Sequence, residues 1–115
     1  MNSNRPYLCH IRDALAEIQQ FVGAMAYEEF LEDRRTQNAV IRSFEVVGEA
    51  SRRLSSDFRD KNAQVPWRKM MDFRNKLIHD YFGLDLYLIW KTIVEDVPPL
   101  LEAIEVFIEQ EDHAN

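Results

Sequence analysis

Between Leu8 and Met25 six apolar residues (Leu8, Ile11, Leu15, Ile18, Val22 and Met25) fall at intervals of 3, 4, 3, 4 and 3. A strand sends successive side chains to opposite faces and would scatter these residues over both. An α-helix gathers them into a single seam about five turns long. A seam of that length has to be covered by other helices, so the rest of the chain is read for partners of the same kind. Pro6, just before it, suits a first helical turn because its missing N–H would have no helical partner there.

The partners are present. Tyr27 to Leu31 reads as a short turn, with Glu32 or Asp33 leading into a second long helix. On that helix Val40, Phe44, Val47, Ser51 and Leu54 form one stripe, and Ala39, Ser43, Val46 and Ala50 a second beside it. Apolar or small residues over so wide an arc place the helix at the centre of a bundle. Gly48 and Ala50 would let a neighbour come close, at some cost in helix propensity for the glycine. Ser55 to Val65 is a polar connection with room for one helical turn. Pro66 opens a third helix at Trp67. Asp85 is placed to cap a fourth, carrying Leu86, Ile89, Trp90 and Ile93. Asp96-Val97-Pro98-Pro99 predicts a break or kink, and Leu100, Ile104, Phe107 and Ile108 mark a last helix, with the acidic stretch from Glu109 to Asn115 expected to fray. With only three glycines and four prolines in 115 residues, little material remains for hairpins or Gly-rich loops. The expectation is an all-α, up-and-down bundle of four to five helices, a single domain spanning 1–115.

Several functional classes fall away. No apolar run approaches the roughly 18–20 residues of a membrane span, and the opening Met1-Asn2-Ser3-Asn4-Arg5-Pro6 lacks the apolar segment of a signal peptide. Cys9 is the one cysteine. No internal disulfide can form, so a reducing cytoplasm is the expected compartment, with no membrane partner; nothing near Cys9 in sequence would activate it as a nucleophile. There is no Gly-rich phosphate loop and no G-x-S-x-G elbow. His10 and His113 lie near opposite ends of the chain, and no Cys/His cluster or H-x-x-x-H pair is present, so neither metal nor cofactor is expected.

The net charge of −6 hides an uneven distribution. From Arg34 to Lys76 eleven Lys/Arg stand against five Asp/Glu, a local +6, while the remainder carries −12. A cationic surface on an acidic protein can attract phosphates locally; the same charges also suit ordinary solvated helix faces.

The segment Trp67 to Phe82 carries the chemistry. At 100° per residue Trp67, Met70, Met71, Leu77 and Ile78 form an apolar stripe with Arg74 in its middle. Arg68, Asp72, Asn75 and His79 fall on an adjacent polar face. A guanidinium on an apolar stripe must reach a partner, a ligand or solvent, because burying it unpaired is costly. Snorkelling, or a structural salt bridge to Glu45 or Glu49, would satisfy it as well as a ligand would. If chemistry occurs here, it uses an imidazole and a guanidinium. That combination suits RNA cleavage: histidine can move protons to or from the 2′-hydroxyl or the leaving oxygen, and arginine can stabilise charge on the phosphate.

Arg74-Asn75-Lys76-Leu77-Ile78-His79-Asp80-Tyr81 fits an R-x4-H-x-Y pattern. Together with Asp33-Arg34-Arg35-Thr36-Gln37-Asn38-Ala39-Val40, Gly48-Glu49-Ala50, Pro66-Trp67, Tyr81-Phe82-Gly83 and the segment 85–90, in that order, it resembles the HepT-like branch of the HEPN superfamily. Asp80 stands where a glycine is common. The resemblance implies an all-α homodimer with the two motifs facing each other and a metal-independent RNase activity. Arg74 and His79 would be catalytic, with Asn75 supporting them. It further implies a toxin of a toxin–antitoxin pair, neutralised by a minimal nucleotidyltransferase (MNT-type) antitoxin that transfers AMP to Tyr81. Arg74 and His79 are about 140° apart on a regular helix, so either the helix ends near His79 or two chains share the site; sharing would make part of the Arg74 stripe an interface. The alternatives are a non-catalytic nucleotide-binding or substrate-presenting subunit of a nucleotidyltransferase complex, and a purely structural helical dimer.

Overall fold

A computed structural model describes residues 4–79 and 83–113. Among them run seven helices: α1 (Arg5–Val22), α2 (Tyr27–Glu32), α3 (Arg34–Arg53), α4 (Ser56–Lys61), α5 (Trp67–His79), α6 (Leu86–Glu95) and α7 (Val97–Asp112). The chain is all-α. Two of the seven, α2 and α4, have six residues each and occupy the stretches read as a short turn and a connection. The other five account for the bundle expected from the sequence.

Local chemistry sets the boundaries. The Asp33 side chain accepts from the Thr36 backbone N–H at 3.0 Å and from the Thr36 hydroxyl at 2.7 Å, capping α3. Those bonds hold the Asp33 carboxyl below the usual carboxylate range, the Thr36 hydroxyl contributing most. Asp85 caps α6 by accepting from Leu88 N–H at 3.0 Å. Each cap satisfies a backbone donor that a helix start leaves without a partner. The break near residues 96–99 falls at Asp96 alone. Pro98 and Pro99 sit within the first turn of α7, where their missing N–H groups cost nothing.

Helix α3 is the centre, packed against α1 on one side and α5 on the other, with α7 on the far side of α1. The α1 seam from Leu8 to Val22 is buried; Met25 lies beyond the helix end and is half-buried. Val40, Phe44, Val47, Ser51 and Leu54 are all buried, as are Ser43 and Ala50 of the second α3 stripe. Phe58, Trp67 and Phe107 stack their rings at centroid separations of 5.3–6.2 Å and join α4 and α5 to α7.

One expectation is corrected. The acidic stretch from Glu109 does not fray at once: α7 continues to Asp112, whose carboxylate accepts from Arg5 Nε at 2.6 Å. The pairing spans 107 positions in sequence, so no local pattern could announce it.

Candidate active site

Helix α5 crosses α3 at backbone distance. A Cβ built on Gly48 would lie 2.3 Å from Arg74 Cβ and 3.0 Å from both Arg74 Cγ and the Met70 carbonyl oxygen. Only a residue without a side chain lets the helices come this close. The crossing delivers the Arg74 stem onto α3 and sends its guanidinium into an open groove of about 430 Å³ between α1, α3 and α5. Val46, Ala50 and Ile78 give that groove an apolar lining, and Arg42, Arg53, Glu45 and Glu49 charge it.

Within the groove Arg74 Nη2 stands 3.8 Å from Glu49 Oε1, and Arg74 Nη1 donates to Asn75 Oδ1 at 3.2 Å. Glu49 accepts from Arg52 Nη2 on both oxygens, at 3.0 and 2.9 Å, and lies 3.7 Å from Arg53 Nε. The Arg52 hydrogen bond, with the charges of Arg52, Arg74 and Arg53 behind it, holds the Glu49 carboxyl below its ordinary range against the opposing pull of burial. Of the two acidic partners open to Arg74 from the sequence, Glu49 is the one that pairs with it.

The apolar stripe on α5 is rotated from its expected position. Met70 and Leu77 are buried, and Phe73 packs edge-on against Phe44 at 5.1 Å, whereas Ile78 is 43% exposed. The core-facing arc therefore centres nearer Phe73, and Arg74 stands at its edge with its side chain 28% exposed. This resolves the cost of burying a guanidinium: the group is half-buried, paired and open to solvent.

The other motif residues lie elsewhere. Asn75 and His79 are exposed, and His79 is not among the groove-lining residues. On a continuous helix His79 lies roughly 140° around and about 7.5 Å along from Arg74. Helix α5 ends at His79, one of the two arrangements expected from the sequence, and His79 stays outside the groove that holds Arg74. Tyr81 and Asp80 fall outside the described residues. The imidazole that does line the Arg74 groove is His10, edge-on to Tyr7 at 6.3 Å. From the sequence His10 stands only as a metal-ligand candidate; the signal for its place here is that Tyr7 and His10 lie beside buried Leu8 and Ile11 on α1. Among the described residues no group of three or more His, Cys, Asp or Glu is arranged to hold a metal ion. No helix there is long and apolar enough to cross a membrane.

The family description Ribonuclease HepT-like matches residues 11–107. The chain belongs to the HepT-like family. It is 45% identical over 98 residues to a Thermococcus cleftensis protein named "Probable ribonuclease HepT", covering 85% of this chain and 89% of that protein. It is 44% identical over 104 residues to a Methanocaldococcus jannaschii protein whose name provisionally assigns RNase activity, covering 90% and 86%. A Caldanaerobacter subterraneus protein named in the same way is 36% identical over 111 residues, covering 96% of this chain and 99% of its own length. No solved structure gives a significant match. The HepT-like match takes in Gly48, Glu49, Arg74, Asn75 and His79; Tyr7 and His10 precede it.

Proposed function

We propose that this chain is a metal-independent endoribonuclease, the toxin of a toxin–antitoxin pair, working as a homodimer. The observation that carries the reading is the open groove holding Arg74 in a chain of the HepT-like family. Arg74 binds the scissile phosphate and stabilises the charge that develops on it. His79 transfers a proton at the 2′-hydroxyl or the leaving oxygen, and Asn75 supports Arg74 through the bond between them. Since Arg74 and His79 point to different sides of α5, a second chain completes the site. The exposed Ile78 and the apolar groove lining support that face as the interface.

Purified protein in EDTA is expected to cleave RNA. Arg74→Ala and His79→Ala each lose about 100-fold or more in rate while keeping helical circular dichroism, the usual scale for a single acid–base or electrostatic group. Activity that disappears with chelator and returns with a divalent ion defeats the metal-independent mechanism; full activity in His79→Ala defeats its assignment.

Silencing in this reading falls to a minimal nucleotidyltransferase partner. The Tyr81 hydroxyl oxygen attacks the α-phosphorus of ATP, an O–P bond forms, and pyrophosphate leaves. The AMP places a phosphodiester two residues from His79, where it competes with RNA for cations. Intact-mass measurement with the partner and ATP is expected to show AMP-sized increments that vanish in Tyr81→Phe, and that variant keeps its RNase activity in the partner's presence. Increments persisting in Tyr81→Phe assign the modification to another residue.

A further inference from the structure

Arg74 is held at two points, and both holds come from one dipeptide of α3. At the stem, Gly48 leaves no space between the α3 backbone and Arg74 Cβ. At the tip, Glu49 lies 3.8 Å from Nη2. That distance is too long for a hydrogen bond, so Glu49 steers the guanidinium by charge and consumes none of its donors. A guanidinium has five N–H donors in a fixed fork; the one to Asn75 is used, and the fork remains able to meet a phosphate.

Glu49 is itself paired on α3. Arg52 donates to both of its oxygens and Arg53 approaches one of them. Its negative charge is thus shared among three guanidinium groups and does not cancel the charge of Arg74. The pair is about seven-tenths buried on each side, which strengthens the attraction relative to a fully solvated pair without removing either group from water. An arginine free in solvent must lose rotamer freedom when it meets the transition state. One already fixed at stem and tip has lost it in folding, and the charge it presents is preorganised.

We propose that Gly48 and Glu49 form a seat for Arg74, and that Glu49 is a positioning residue for RNA cleavage. The inference rests on the catalytic role given to Arg74 above and gives a role to Gly48 and Glu49, which the resemblance takes in without assigning them one. It predicts a specific kinetic signature. Glu49 holds Arg74 but repels RNA phosphates, so removing its charge has opposite effects on turnover and binding.

The test compares wild type, Arg74→Ala, Glu49→Gln, Glu49→Asp and the Glu49→Gln, Arg74→Ala double variant in steady-state cleavage of a short RNA, with the Arg74 Nε–Hε signal followed by NMR. Glu49→Gln is expected to lower kcat about tenfold, on the scale of a misplaced electrostatic group, while KM for RNA stays level or falls. Glu49→Asp, which keeps the charge, recovers part of kcat, and Glu49→Gln adds no further loss to Arg74→Ala. The Arg74 Nε–Hε resonance is resolved in the wild type and moves to the position of solvent-exposed arginines in Glu49→Gln. A kcat within twofold of wild type in Glu49→Gln, a rise in KM alone, or an Arg74 resonance unmoved by the substitution each overturns the seat. Full activity in Arg74→Ala strikes the catalytic role of Arg74 instead, and no cleavage by the wild type strikes the RNase assignment; the NMR comparison, which needs no activity, still decides whether the seat exists. Should Glu49→Gln fail to fold, Glu49→Asp and the wild-type resonance decide it: a wild-type Arg74 signal indistinguishable from exposed arginines overturns the proposal.

Discussion

The two sides of α5 hold their motif residues in opposite ways. On the side facing α3, Arg74 is pressed against Gly48, paired with Glu49 and half-buried. On the other, His79 stands exposed at the end of the face that carries Arg68, Asp72 and Asn75, of which Arg68 and Asp72 pair loosely at 3.9 Å. Folding one chain therefore fixes the cation that would meet a phosphate and leaves the imidazole that would move a proton unplaced. The electrostatic half of the proposed site is thus set by the fold of one chain, and the proposed homodimer is what would complete the proton-transfer half.

Mixing two inactive chains separates the two sides most directly. If Arg74 of one chain works with His79 of the other, a heterodimer of Arg74→Ala and His79→Ala contains one intact site and one doubly damaged site. Random exchange makes half of the dimers mixed, so equal mixing is expected to restore about a quarter of wild-type activity from two preparations each at about 1%. Light scattering at micromolar concentration is expected to show a dimer, with a specific interface of about 1,200–2,000 Å² in total. No recovery on mixing, from chains shown to exchange, places both residues in one chain and ends the shared-site reading.

A smaller effect probes the seated side alone. Gly48→Ala pushes a methyl into Arg74 Cβ and the Met70 carbonyl. The neighbours are α5 backbone and stem, not a flexible tip, so the helices must part, at a cost of about 1–3 kcal/mol for an overpacked site. Urea denaturation measures that loss. His79→Ala, an exposed change with no packing to lose, is expected to stay within about 0.5 kcal/mol of wild type. A stability-neutral Gly48→Ala means the crossing is looser than it stands here.

The smallest effect lies far from α5. The Arg5 hydrogen bond holds the Asp112 carboxyl below its ordinary value of 3.8. A depressed folded-state pKa contributes stability above the unfolded value, and the contribution is lost as pH falls through the lower folded value. Asp112→Asn should thus lower Tm slightly near neutrality, with the gap to wild type closing below about pH 3.8 and in high salt. Thermal melts across pH check it; a gap that widens on acidification reverses the assigned sign.

How much of this was legible in the sequence depends on the range over which each signal acts. The α1 seam and the α3 stripes are periodic within one helix, and burial follows them except at Met25, beyond the end of α1, and at Ala39 and Val46, which are half-buried. Asp33 and Asp85 cap helices through backbone donors three positions away, which is also local. The α5 stripe is turned from the arc its own periodicity marks because Phe73, on the flank, packs against Phe44 of α3. Gly48 was legible as a place of close approach, but the identity of what approaches belongs to packing between helices. The Arg5–Asp112 pair joins two helices and nothing within one helical turn names it, while His10 has Tyr7 beside it on α1 but meets the Arg74 groove only through packing against α3 and α5.

The Gly48 contact has a mechanical consequence. Two helices touching at backbone distance can tilt about the contact far more easily than they can slide through it, so the crossing acts as a fulcrum under α5. Arg74 sits on the fulcrum, and His79 lies about 7.5 Å along the arm. Any torque on the end of α5 swings the imidazole and leaves the guanidinium where it is.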